Sequence, residues 1–384
     1  MKRIQRNDRS GSSHLRAIFV LEQTLGHVTH SQNLRSLLAD EPQLAPTFLP
    51  IRPEVDGIAR HIPGYGNWTV RAGIRARVAL RRFTGLRRRP PAEAMFIHSQ
   101  VPAILTGGWM RKVPTVVSLD ATPVQYDQLG EFYAHDVSSP RVEAWKWKAN
   151  QRCFRRARHL VTWSKWALES LVDDYAIDRA AITVIPPGVD VERWSRHEPR
   201  PDPVGGPVRV LFVGGDLHRK GGDLLIEASR RLRLDPATPE FEVHVVTRSD
   251  VVDEPGLHVY RDLGPNDPAL IELYHECEIF CLPTMGDCLP MVLSEAGAAE
   301  MALVSTDVGA IREVVRDGET GILIPPGDLD ALVDALRRLI GDPAERRRMG
   351  EAAAELVRSR YDALRNARQI VDLLRVVARH DVPA

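Results

Sequence analysis

Short runs of β-branched and apolar residues alternate along this chain with stretches whose apolar residues recur every three or four positions. Strands joined by crossover helices make parallel sheets, so the pattern predicts an α/β protein. In the first half the strand candidates are Ala17–Leu21, Met95–His98, Thr115–Leu119, His159–Trp163 and Ile182–Ile185. Residues 195–207 interrupt the pattern with four prolines and two glycines and read as a linker. It restarts with Val208–Val213, Glu242–Val246, Leu257–Val259, Ile279–Leu282, Leu303–Ser305 and Gly321–Ile324. The expectation is two doubly wound α/β domains, residues 15–194 and 208–360, facing a central cleft, with ligands bound beyond the carboxyl ends of the strands. One last helical stretch, Ala344 to Arg379, is long enough for its end (361–384) to return across the first domain. Residues 1–14 are polar and basic, which suggests a disordered tail and not a signal peptide.

Composition narrows the partners. At 384 residues the chain is long enough for about two domains. Lysine plus arginine total 51 and so do aspartate plus glutamate, so global charge gives no reason to expect nucleic acid. No uninterrupted apolar run approaches the roughly 18 residues of a membrane span. Cys153, Cys277, Cys281 and Cys288 make no C-x-x-C pair and no histidine stands at zinc-ligand spacing from them. They read as core thiols in a reducing compartment, and a cytoplasmic protein is expected.

Two segments carry candidate chemistry. In Pro283-Thr-Met-Gly-Asp-Cys-Leu-Pro-Met-Val-Leu-Ser-Glu295, an apolar strand leads through a loop bearing Asp287 to a helix bearing Glu295. Pro290 suits a first helical position, which would leave the amides of Met291 and Val292 unpaired. Free amides at the positive end of a helix attract an anion such as a diphosphate. Glu295, a turn deeper, reads as an acceptor for hydroxyl groups and not as a core residue. The second segment, Val208 to Ala228, is a strand, a turn with Gly214 and Gly215, the pair Arg219 and Lys220, and a helix following Asp223 as its N-terminal residue. The glycines admit a ligand close to the backbone, and the cations suit phosphate. A plain loop with two solvated cations is the alternative.

These segments resemble a retaining family 4 glycosyltransferase with the two-domain Rossmann-like architecture called GT-B. The resemblance rests on Gly214–Gly221, Asp287–Glu295 and Thr306-Asp-Val-Gly-Ala-Ile-Arg-Glu313. It extends to Asp317-Gly-Glu-Thr-Gly321, Ile324-Pro-Pro-Gly-Asp328 and Ile185-Pro-Pro-Gly-Val-Asp190. Glu22-Gln-Thr-Leu-Gly-His-Val-Thr-His30 is similar to the family's first glycine loop. The resemblance implies transfer of a hexose from a nucleoside-diphosphate sugar, the co-substrate, with no cofactor and no bound metal. It implies that Arg219 and Lys220 grip the diphosphate, that Glu295 binds the ribose, that Asp287 lies beside the sugar and that Gly26 lies near both. Three departures stand out: Gly215 where the family has arginine, Asp287 where it has glutamate, and Asp120 where many relatives have a histidine near the reacting sugar. Asp120 is then a candidate for orienting an acceptor or sugar hydroxyl, or simply a turn residue. The substitutions at Asp120 and Asp287 leave open a catalytically weak relative that only binds a nucleotide or partner; a two-domain epimerase fits the motifs less well.

The acceptor is open: a glycan, a lipid-linked sugar or a small molecule. Residues 246–248 and 261–264 should form the base pocket. Between Arg71 and Arg89 lie eight arginines and no acid, with Val70, Ile74, Val78 and Phe83 at near-helical spacing. That is the pattern of a helix on an anionic membrane at the inner face, or of a domain helix whose stripe faces the core. Trp145 and Trp147 could stack on sugar, but helix packing is the commoner use.

Overall fold

The structure, a computed structural model, describes residues 14–24, 26–52, 68–84, 92–130, 139–196 and 206–379. The expected tail apart from His14, residues 197–205 of the expected linker, and Arg87, Arg88 and Arg89 lie outside the described residues. The strands are β1 (Leu15–Glu22), β2 (Leu44–Ile51), β3 (Ala94–His98), β4 (Thr115–Leu119), β5 (His159–Thr162) and β6 (Ile182–Val184) in one sheet. The other holds β7 (Val208–Val213), β8 (Phe241–Val246), β9 (Leu257–Tyr260), β10 (Ile279–Leu282), β11 (Ala302–Thr306) and β12 (Gly321–Ile324). Their spatial orders are β2-β1-β3-β4-β5-β6 and β12-β11-β10-β7-β8-β9. Each order reverses beside its first strand, between β1 and β3 and between β7 and β10. Loops leaving neighbouring strands in opposite directions open a crevice at those carboxyl ends.

By packing, the described residues fall into two compact units, one within 1–117, 153–159 and 370–384, the other within 118–152 and 160–369. In the first, β1 runs parallel to both β2 and β3, with Phe19 opposite Phe48 and Phe96. Apart from Arg16 every residue of β1 is buried, as a central strand covered on both faces requires. β2, which carries Pro46 and Pro50, is not among the expected strands. It forms because it is the sheet edge, where a missing N–H breaks no ladder. The helix Trp68–Thr84 turns Ala72, Ala76 and Leu80 inward. Ile74, Val78 and Phe83 are 36%, 44% and 37% exposed, so the apolar stripe noted in the sequence does not face the core.

In the second unit β10 and β11 are wholly buried and pair parallel to each other. The expected single stretch 344–379 is two helices, Pro343–Arg360 and Ala363–Arg379. Pairing with the Ile185–Asp190 motif causes the break. Val189 N–H donates to Tyr361 O and Ala363 N–H donates to Val189 O, both at 2.8 Å. Asn366 Nδ2 adds a bond to Pro186 O at 3.1 Å. Gly188 has φ 70°, and a Cβ there would lie 2.3 Å from Tyr361 O.

Gly188→Ala therefore combines left-handed strain with a backbone overlap and should lower stability by about 2–4 kcal/mol. Gly318, also left-handed at φ 73° but with open space around it, should lose only about 1–2 kcal/mol on the same change. Thermal denaturation of the two variants checks this; equal shifts would remove the role given to the Tyr361 contact.

Candidate donor site at the β7 and β10 ends

The loop after β7 is tightly folded. Gly214 N–H donates to Val246 O at 3.0 Å, and a Cβ on Gly214 would meet the Phe212 ring at 2.8 Å. A Cβ on Gly215 would have no atom within 4 Å, so this backbone faces open space. Lys220 N–H donates to Asp216 O, and the Asp216 carboxylate accepts the Arg219 N–H, both at 3.1 Å. The following helix is Gly222–Arg233, and its N-cap is Gly221 in the left-handed region, not Asp223 as expected. Asp223 lies in the first turn, 2.7 Å from His218 Nδ1.

Gly221 takes that position because no side chain fits: its Cβ would lie 2.0 Å from Pro283 O. The loop Pro283–Pro290 is pressed from a second direction by Gly309, φ 57°, whose Cβ would lie 2.2 Å from Asp287 O. Hydrogen bonds complete the contact. Met285 N–H donates to Arg219 O at 2.9 Å and Ala310 N–H to Cys288 O at 2.8 Å. Thr306 Oγ1 donates to Thr284 O at 2.6 Å. Held this way, the loop places Asp287 Oδ2 in a salt bridge with Lys220 Nζ, the two side chains 11% and 16% exposed. Arg219 points the same way, but its Nη1 donates to Gly286 O at 2.9 Å, so it braces the loop.

The helix Met291–Ala298 starts one residue later than expected. Pro290 is its N-cap, with φ −70° and ψ 120°, and no side chain caps the turn. Proline's fixed φ suits either position, and its extended ψ decides for the cap. Met291 and Val292 are partly exposed, so their amides and the positive helix end adjoin the loop that carries Asp287. Glu295 is 9% exposed and belongs to the edge of the core, which corrects its reading as a non-core residue. Tyr274 O–H donates to Glu295 Oε2 at 3.2 Å, and Tyr274 stacks on Phe280. Burial pushes the Glu295 carboxyl up to about 7, and the Tyr274 hydrogen bond opposes the rise.

Asp120 directly follows β4 with both oxygens engaged: Oδ1 accepts the Ala121 N–H at 2.9 Å, and Oδ2 accepts the Tyr126 hydroxyl at 2.8 Å. These are the bonds of a turn residue, and they hold Tyr126, a partner the sequence reading did not name. The capping box of Thr122 and Gln125 was the available signal, since it starts the helix that carries Tyr126. Trp147 stacks on Tyr175, centroids 5.8 Å apart, and Trp145 is 66% exposed. In the first unit Gly26 opens the helix Gly26–Leu38, and no atom of the described residues lies within 4 Å of its Cβ position. Beside it, at the carboxyl ends of β1 and β3, is a buried cluster that the sequence did not announce. Glu22 accepts from Thr24 Oγ1 at 3.0 Å, from Trp68 Nε1 at 3.2 Å and from Ser99 Oγ. His27 Nδ1 lies 2.7 Å from His98 Nε2.

Two family models divide the chain between them: Glycosyltransferase Family 4 matches residues 36–193 and Glycosyl transferases group 1 matches residues 196–356. The chain belongs to glycosyltransferase family 4. Over 228 residues it is 31% identical to the glycogen synthase of Mycobacterium tuberculosis (strain CDC 1551 / Oshkosh), covering 58% of this chain and 53% of that one. The match thus spans about half the length of that relative. Sucrose-phosphate synthase from Thermosynechococcus elongatus superposes with a TM-score of 0.72 at 15% identity, covering 96% of this chain and 100% of the other. HepE from Anabaena, in complex with UDP-glucose, gives 0.64 at 14%, covering 94% and 100%. At such identities these likenesses speak to the fold, which is GT-B.

In this family 4 chain the Glu295 carboxyl makes a pH test possible. Between pH 4.5, its ordinary value, and about 7 the folded state keeps a proton that the unfolded chain has released. Stability should therefore fall as pH rises through that window, by about 3–4 kcal/mol, and level off above it. Glu295→Gln lacks the ionisation, so the melting temperature of the parent relative to this variant should decline from pH 4.5 to 7. A difference independent of pH would mean that Glu295 titrates normally.

Proposed function

We propose that this chain is a retaining glycosyltransferase that moves a sugar from a nucleoside-diphosphate sugar to a hydroxyl acceptor without a metal ion. The observation carrying this reading is the Lys220–Asp287 salt bridge, almost buried in the loop that precedes the uncapped helix Met291–Ala298. Lys220 supplies positive charge and the amides of Met291 and Val292 supply donors, the pairing that a leaving diphosphate needs. On donor entry the diphosphate takes Lys220, and the freed Asp287 carboxylate accepts hydroxyls of the sugar. Arg219 holds the loop backbone in place, and Gly214 and Gly215 let the diphosphate approach the main chain. Glu295, ionised above about pH 7, accepts the ribose hydroxyls.

In the transfer the bond from the anomeric carbon to the phosphate oxygen breaks, and its electron pair leaves with the diphosphate. The acceptor oxygen bonds to that carbon on the same face and gives its proton to the departing phosphate. Gly26 keeps the role expected of it near the diphosphate and sugar, and Glu22, His27 and His98, at the switch point between β1 and β3, supply polar groups for hydroxyls. HepE, similar in fold, is known with UDP-glucose bound, which supports a nucleotide-sugar donor here. Asp120, already engaged by Tyr126, favours the second reading of a weak relative that binds donor without transferring it. Measurement of donor hydrolysis alongside binding separates the two.

Charge-assisted phosphate contacts contribute about 1.5–3 kcal/mol, so Lys220→Ala should weaken UDP or GDP binding roughly 10- to 100-fold. Arg219→Ala should weaken it by loosening the loop. Transfer by the parent protein should persist in EDTA. Unchanged nucleotide affinity in Lys220→Ala, or activity restored only by manganese or magnesium, would overturn this mechanism.

The acceptor is proposed to lie at an anionic membrane surface at the inner face. Ile74, Val78 and Phe83 face outward on one helix, with exposed Arg77, Arg81 and Arg82 among them, and each arginine near lipid adds about 1 kcal/mol. The parent should sediment with phosphatidylserine vesicles at low salt, and replacing those three arginines by alanine should release it. If the parent stays in the supernatant, the acceptor is soluble.

A further inference from the structure

Away from the loops 214–221 and 283–290, β8 and β9 carry a side-chain cluster that sugar transfer does not use. Glu242 and His244 are two apart on β8, so they leave the same face, and the parallel register sets His258 of β9 beside His244. The two imidazoles stack with centroids 4.8 Å apart. Glu242 Oε2 lies 3.6 Å from His244 Nε2, and Glu242 Oε1 lies 3.7 Å from His258 Nε2. One ligand atom from each residue falls within 4.8 Å of the others. His244 is 5% exposed and its Nε2 has no hydrogen-bond partner among the described residues. Its Nδ1 lies 2.9 Å from the Tyr260 hydroxyl.

We propose that Glu242, His244 and His258 bind a divalent transition-metal ion of the zinc class. Zinc holds nitrogen and oxygen at about 2.0–2.2 Å, so tetrahedral donors stand about 3.4 Å apart. With one atom from each residue the separations run up to 4.8 Å, so the set closes by up to about 1.4 Å, through rotation of the Glu242 and His258 side chains, which are partly exposed. An Nδ1–H of His244 donating to the Tyr260 oxygen fixes the tautomer that leaves the Nε2 lone pair toward the ion, as an outer partner does for a ligating histidine. Two imidazoles and one carboxylate suit zinc over magnesium or calcium. Half-exposed His258 leaves a fourth position to water. Arg209 competes, its Nε 3.7 Å from Glu242 Oε2, but it also pairs with Glu276 at 3.5 Å and can turn to it. The ion joins β9, the sheet edge, to β8. Its role is therefore to stabilise the strand pair, independent of donor chemistry.

The test uses the full, tag-free chain stripped with EDTA and dialysed, then titrated with zinc chloride by calorimetry and followed by thermal denaturation. The expected result is about one zinc per chain with an affinity in the micromolar range or tighter, and a melting temperature that rises with zinc. His258→Ala and Glu242→Gln, both at accessible positions, should each lower the affinity at least about tenfold and abolish the thermal shift. Circular dichroism verifies their folding, and if one fails to fold the other decides. No uptake by the parent at about 100 μM zinc, or equal uptake by a folded variant, overturns the proposal.

Discussion

The candidate donor site depends on a contact between backbones. The loop Pro283–Pro290 is clasped between Gly221 and Gly309, each left-handed, with its carbonyls occupying the space where their Cβ atoms would be. Glycine is the residue that tolerates both the φ and the proximity. Because main chain touches main chain, the loop has little room to shift, and the carboxylate it carries meets Lys220 in one position. Hydrogen bonds from Met285, Thr306 and Ala310 supply the direction that van der Waals contact alone lacks.

That rigidity sets the electrostatics. Lys220 and Asp287 are largely withdrawn from water, so each charge is held by its partner, and removing one would strand the other. An anion entering beside this pair finds a positive charge already desolvated and aimed, with uncapped amides of the next helix behind the same loop. Glu295 follows a different rule. Its surroundings are Tyr274 and the core, no cation pairs with it in the described contacts, and burial raises its proton affinity into the neutral range. Of two acids eight residues apart, Asp287 faces a lysine and Glu295 a phenol.

Strand topology explains why these residues meet. Both sheets reverse order beside their first strand, and the β7 and β10 loops flank one reversal as the β1 and β3 loops flank the other. Lys220 and Asp287, 67 residues apart, are joined by the first of these. Glu22 and Ser99, 77 apart, are joined by the second. That ligands bind beyond the carboxyl ends of the strands was legible in the sequence, but strand order and the partners of Glu22 were not, since Trp68 and Ser99 lie in segments with no motif around them.

By itself the sequence determined the alternation of strands and helices, the family, and the residue types at the donor loops, because periodicity, glycine turns and charged pairs are local properties. Eleven of the strands follow from apolar runs read in place, and Arg219, Lys220, Asp287 and Glu295 were singled out as candidates from their own segments and the family resemblance. Tertiary structure decided what local pattern cannot contain. β2 is a strand despite two prolines because it lies at an edge. The helix ending at Arg360 stops because Val189 pairs with the chain beyond it. Arg219 braces the loop while Lys220 meets Asp287, though the two cations are adjacent and look alike in sequence. In each case the deciding partner is remote in the chain, and its position is set by packing.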